Sequence, residues 1–217
     1  MASTINASTS GAGGIISTAD ASGTLSLQGG GTTGVSIDSS GNATATTQSQ
    51  ANNSTRIGTT AYVDRVAVQQ VVSYLTGAVA TGTTAIPFDD TIPQITEGDQ
   101  YMSLSITPKS ATSKLIIDVV AYVSFSSAGA WIPGALFQDS TANALASIVY
   151  HLANSDSSCI DAPLVMRYVM TSGTTSATTF KFRAGASGGT LTFNGVSGNR
   201  YFGGTMASGI IITEIGV

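Results

Sequence analysis

The residues with the most obvious chemical capacity gather around His151, the single histidine of this 217-residue chain, with Asp156, Ser157, Ser158, Cys159 and Asp161 close behind it. A base, a nucleophile and an acid are the ingredients of acyl transfer, in which the imidazole takes the proton of the attacking hydroxyl or thiol. No nucleophile elbow surrounds these serines, and Ser and Asp are the usual residues of turns between strands. No catalytic residue is therefore expected. Cys159 is the only cysteine and cannot form an internal disulfide; it reads as a small half-buried residue.

Carboxylates suggest a second chemistry. Asp89 and Asp90 are adjacent, and Glu97 and Asp99 follow, as a pair of acids does in sugar-cleaving enzymes. Their setting between Pro87 and Pro93 favours solvated loop charges, or a cation near a symmetry axis. There is no His/Cys cluster and no acidic loop with calcium-hand spacing, so no metal site is expected. Gly29-Gly30-Gly31 lacks the Lys-Ser/Thr of a phosphate loop, and no cofactor is expected. Aromatic side chains remain: Trp131, Tyr150, Tyr168, Tyr201 and Phe202 could meet a sugar or a receptor where exposed. Trp131, beside Gly129, Pro133 and Gly134, and Tyr201 are the candidates for receptor contact.

The elements that must position these residues belong to a chain of unusual composition. Charged residues make up 9% of it, against roughly 25% in an average soluble domain, and Gly, Ser, Thr, Ala and Asn take their places. Its eight basic residues are scattered and the formal net charge is -4, which excludes a phosphate-binding surface and hence a nucleic-acid partner. Mean hydropathy is +0.25, yet no run approaches the ~18–20 apolar residues of a spanning helix, so no membrane insertion is expected. The opening Met1-Ala2-Ser3-Thr4-Ile5-Asn6 lacks the basic start and apolar core of a secretion signal, so synthesis in a cytoplasm is expected.

Three regions follow one another: an arm over 1–56, a helical neck and linker over 57–100, and a β head over 101–217. In the arm, Ile15-Ile16, Leu25-Ser26-Leu27 and Val35-Ser36-Ile37 alternate with Gly-rich turns at roughly ten-residue spacing, a pattern of short strands. The segment Ala61–Leu75 has no Gly or Pro, a cap at Thr59 or Thr60 and a stop at Gly77, which predicts a helix. Tyr62, Val63, Val66, Val71, Val72 and Leu75 spread around its circumference, so the expected helix is buried in a trimeric neck at a symmetry axis, with a single helix packed on its own sheet as the alternative. Beyond it the period changes to two. Strands are predicted at Tyr101–Thr107, Lys114–Phe125, Trp131–Gln138, Ala144–His151, Asp161–Met170, Ala177–Ala184, Thr190–Asn194 and Ser208–Ile215, the pattern of an antiparallel sandwich or jelly roll.

The run Asn53-Ser54-Thr55-Arg56-Ile57-Gly58-Thr59-Thr60-Ala61-Tyr62-Val63 resembles a motif of bacteriophage tail-fibre and related virion proteins, with Gly58 where that motif has Ala. The opening from Ser3 to Gly23 looks like the N-terminal arm of phage structural proteins. Ile106–Leu115 and Tyr201–Ile215 resemble the terminal head domains of phage fibres. The resemblance implies an attachment arm, a trimeric neck and a distal β head.

The expectation from sequence is therefore a non-enzymatic, mainly β, homotrimeric fibre or spike subunit of a phage virion, made in the host cytoplasm. Residues 1–56 would attach it to other virion proteins of the tail, collar or capsid, and its jelly-roll-like head would meet a host surface glycan or protein. A capsid decoration or head-fibre protein without a receptor role is the alternative, and a polysaccharide-cleaving tailspike a more distant one.

Overall fold

The computed structural model describes residues 23–47, 60, 68–127, 130–151, 160–186 and 188–216, with backbone alone at 160–162. Its contacts divide the chain into two compact units, Met1–Tyr62 and Val63–Val217.

In the first unit, β1 (Leu25–Gly29), β2 (Thr32–Ile37) and β3 (Ala43–Ala45) form an antiparallel meander. The β1–β2 turn is Gly30-Gly31, both at positive φ, the geometry that a two-residue hairpin needs and that glycine adopts without a steric penalty. At the β2–β3 turn the Asp38 carboxylate accepts hydrogen bonds from the Ser40 and Asn42 N–H groups and from the Asn42 side-chain amide. The Leu25–Leu27 and Val35–Ile37 segments are thus the strands their alternation predicts.

The second unit is built from β4 (Val68–Thr76), β5 (Ala80–Gly82), β6 (Asp99–Ile106), β7 (Lys114–Phe125), β8 (Trp131–Gln138), β9 (Ala146–His151), β10 (Ile160–Thr171), β11 (Thr178–Ala184), β12 (Leu191–Phe193), the two-residue pair β13 (Gly195–Val196) and β14 (Asn199–Arg200), and β15 (Ser208–Ile215). One sheet runs β4-β15-β7 with β10 on the far side of β7, and β12 and β5 extend it beside the C-terminal end of β7. The other sheet has the order β6-β11-β8-β9. Every pairing among the described strands is antiparallel, and these two orders are those of a jelly roll, in which the main strands cross from one sheet to the other except between β8 and β9.

The core lies between the sheets. Strand β7 turns Leu115, Ile117, Val119, Ala121, Val123 and Phe125 inward, all buried, as the period-two pattern requires. Phe180 and Phe182 of β11, with Ile132 and Leu136 of β8, meet them from the opposite sheet. Close packing leaves no room for a methyl at Gly134, where an added Cβ would lie 2.9 Å from the Phe182 ring.

The expected helix is corrected over 68–76. Val71, Val72 and Leu75 lie on β4, a strand paired with β15 from Thr76↔Ser208 to Val68↔Ile215. The physical reason is visible in the residue types: Val, Tyr and Thr favour a pleated surface over a helix, and a partner strand was available to satisfy the backbone. The apolar residues that seemed to surround a helix are the two faces of a strand. Val72 packs against the core, while Val71 and Leu75 face outward. Tyr62, Val63 and Val66 lie outside the described residues, as does most of the motif at 53–63.

Candidate interaction surfaces

Trp131 begins β8 at the rim of the sandwich and is 40% exposed. It is not alone there. Phe88 stacks on one face of the indole with ring centroids 4.2 Å apart and planes 7° from parallel. His151, its partner across the β8–β9 pair, stacks on the other at 4.0 Å and 22°. Both indole faces are therefore occupied within the chain. What the site offers outward is the ring edges and the open face of Phe88, which is 57% exposed.

The segment between β5 and β6 carries Phe88 and is strapped down at many points. Asp99 accepts hydrogen bonds from the Thr84 N–H and hydroxyl, each at 2.9 Å. Ile86 is buried and, with Ile95, packs on Ala135 and Phe137 of β8. The Ala144 N–H donates to the Pro93 carbonyl, and the Ile95 N–H to that of Ala142. These contacts hold Phe88 against Trp131 and cover the outer side of β8.

The acidic residues of this segment serve the segment itself. Asp89 accepts from the Thr91 side chain and N–H, which hold its carboxyl below the usual carboxylate range. Glu97 accepts from the Gln94 N–H at 2.9 Å. Among the described residues, no group of acids, histidines and cysteines is arranged to hold a metal ion. Asp156, Ser157, Ser158 and Cys159 lie outside the described residues; His151 is committed to the ring stack.

Tyr201 projects from the loop between β14 and β15, where Phe202 is 77% exposed and sits at φ 50°. Bulky residues rarely adopt this left-handed backbone, and it costs of order 1 kcal/mol or more. Tyr201 and Phe202 touch only at a tilt, with centroids 6.5 Å apart. Of the other aromatic candidates, Tyr168 packs against the core and Tyr150 is exposed on β9.

Two features were not legible in sequence. One is Glu214 on β15, a buried carboxylate that accepts hydrogen bonds from the Ser113 hydroxyl, the Gln70 amide and the Lys109 and Ser110 N–H groups. Burial pushes its pKa up, but these four donors outweigh burial and hold it below the ordinary value. The other is the outer face of the β4-β15-β7-β10 sheet. The strand register puts Val71 and Leu75, Ile211, Val120 and Tyr122, and Val165 and Val169 side by side on that face, all exposed. Near its middle the Arg167 guanidinium binds both oxygens of Asp118, at 2.6 and 3.1 Å. An edge strand with an apolar outer row is what the period-two reading of 68–76 would have revealed.

No family model matches the chain, and no curated protein does. Among solved structures, it is similar to Eiger TNF from S. frugiperda at 8% identity over 67% of this chain and 92% of that one, with a TM-score of 0.36. Infectious bursal disease virus, Gt strain, gives 14% identity and a TM-score of 0.34 over 69% of this chain and 38% of that one. Dimeric latent PorU from Porphyromonas gingivalis gives 11% and 0.34 over 69% of this chain and 14% of that one. The chain thus spans well under half the length of the last two, and at these scores the fold rests on the strand order itself. No helix among the described residues is long and apolar enough to cross a membrane.

Proposed function

We propose that the chain is a non-enzymatic structural subunit of a bacteriophage virion, a fibre or spike whose jelly-roll head is trimeric and adheres to the host surface. The observation that carries the adhesive part is the Phe88–Trp131–His151 stack, flat rings held at the surface by a strapped segment and two paired strands. Exposing large rings costs hydrophobic free energy, so a surface that keeps them rigid and outward fits one that a ligand covers. Each such contact is weak, and three heads on one stalk raise the effective concentration of the second and third contacts. The virion context is supported by the residue 53–63 resemblance and by a composition poor in charge, with residues 1–56 as the attachment arm.

An antibody raised against the chain is expected to label purified particles, at the tail or collar for a fibre and over the shell for a decoration protein. Purified protein added to host cells is expected to slow adsorption of those particles, and Phe88→Ala to slow it several-fold less. Unlabelled particles would remove the virion reading; labelled particles with unaffected adsorption would remove the adhesive one.

A further inference from the structure

We propose that the outer face of the β4-β15-β7-β10 sheet is where copies of this chain meet. The proposal deepens the trimeric reading above, on which it rests, by naming the surface. Three observations converge on it.

First, the two sheets are treated differently by their own chain. Ile86 and Ile95 of the segment before β6 cover Ala135 and Phe137 on the outer side of β8. On the other sheet, Leu75 remains 74% exposed, and Val71, Val165, Val169 and Ile211 are exposed around it.

Second, Val71, Leu75, Val120, Tyr122, Val165, Val169 and Ile211 form one contiguous exposed face. Seven large apolar side chains side by side put it at the upper end of the roughly 300–600 Å² of the largest, often functional, patch on a typical monomer. Val, Ile and Leu are short, and the strand backbone already fixes their direction, so covering them costs little side-chain entropy.

Third, the electrostatics suit a second copy. The chain carries a formal net charge of -4, so copies repel wherever their acidic parts approach. On this face the Asp118 carboxylate is neutralised by Arg167 of the neighbouring strand, and the one further charge among the described side chains is Lys114 at the end of β7, which donates to the Thr171 hydroxyl. Asp89, Asp90, Glu97 and Asp99 belong instead to the segment that leads into β6, in the opposite sheet. A mainly apolar face whose one described acid is paired does not repel a copy of itself, and an identical face offers it apolar cover. Around a threefold axis each copy meets two neighbours, so both the β4–β15 row and the β7–β10 row take part.

The test is the solution mass of the full chain and of two variants, Leu75→Lys and Val165→Lys, one in each row. Both positions are exposed, so each variant is expected to keep the wild-type circular dichroism spectrum, with its thermal midpoint lowered only by the loss of partner chains. The wild type is expected at three times 21.8 kDa, and each variant at a third of the wild-type mass at the same concentration. Folded variants that stay trimeric would overturn the face while leaving the trimer intact. The same holds if they stay trimeric and lose thermal stability. A monomeric wild type would overturn the trimeric reading itself.

Discussion

Two opposing effects act on the Glu214 carboxylate, and the sign of its acid response follows from which one wins. Burial favours the neutral acid; the Ser113 hydroxyl, the Gln70 amide and two backbone N–H groups favour the anion and prevail. A carboxyl whose pKa is lower folded than unfolded contributes stability above the unfolded value, and that contribution is lost as pH falls from the ordinary 4.5 through the lower folded value. Glu214→Gln is therefore expected to flatten the acid limb of the unfolding free energy below about pH 4.5, measured by urea titration at several pH values. Glu214→Ala strands four donors in a buried site and is expected to cost about 3 kcal/mol at neutral pH. The carboxylate also explains a turn: through Lys109, Ser110 and Ser113 it fastens the β6–β7 connection to β15, and through Gln70 to β4. Nothing in the spacing of a single Glu within Ile-Ile-Ile-Thr-Glu-Ile announces this, because its partners lie about a hundred residues away in sequence.

Strand β4 shows what periodicity can and cannot decide. In Val68–Thr76 apolar residues occupy both strand faces, so the period-two signal is blurred and the run also fits a helix that is apolar all round. The pairing with β15 separates the two readings by experiment. On a helix buried in a bundle, Val71→Asp and Val72→Asp would be comparably harmful. On β4 the outer Val71→Asp is expected to leave the fold of the chain intact, while the inner Val72→Asp, against the core, is expected to cost about 3 kcal/mol by chemical denaturation. The strands from Tyr101 onward were far more legible. Lys114–Phe125, Trp131–Gln138 and Ser208–Ile215 begin and end where alternation and turn residues put them. There one face is buried and the pleat leaves its mark directly in the sequence.

For the whole molecule, low charge is the property with the widest consequences. Attraction between ion pairs on different copies would weaken as salt is added, since the screening length falls from about 10 Å at 0.1 M to about 3 Å at 1 M. An interface made of the mainly apolar β4-β15-β7-β10 face depends little on such pairs, and screening reduces repulsion between chains of net charge -4. The oligomer is expected to persist or tighten between 0.05 and 1 M NaCl, as read by light scattering during size exclusion at falling protein concentration. Dissociation on adding salt would point to an interface that runs through the charged loops instead.

By itself the sequence determined the class of this protein: mainly β, built of antiparallel strands and poor in charge. These properties follow from composition and from period-two alternation, which are local and additive along the chain. It also determined where most head strands lie, because a half-buried strand carries its orientation residue by residue. The tertiary structure decided what depends on residues distant in sequence. It made 68–76 a strand by offering β15 as a partner, and it enclosed the faces of Trp131 between Phe88 and His151. It buried Glu214 among donors from two other segments. It also covered the outer side of β8, while among the described residues Val71, Leu75, Val165 and Val169 of the opposite sheet stay exposed, a distinction that depends on which loop crosses which face and is therefore absent from any single stretch of sequence.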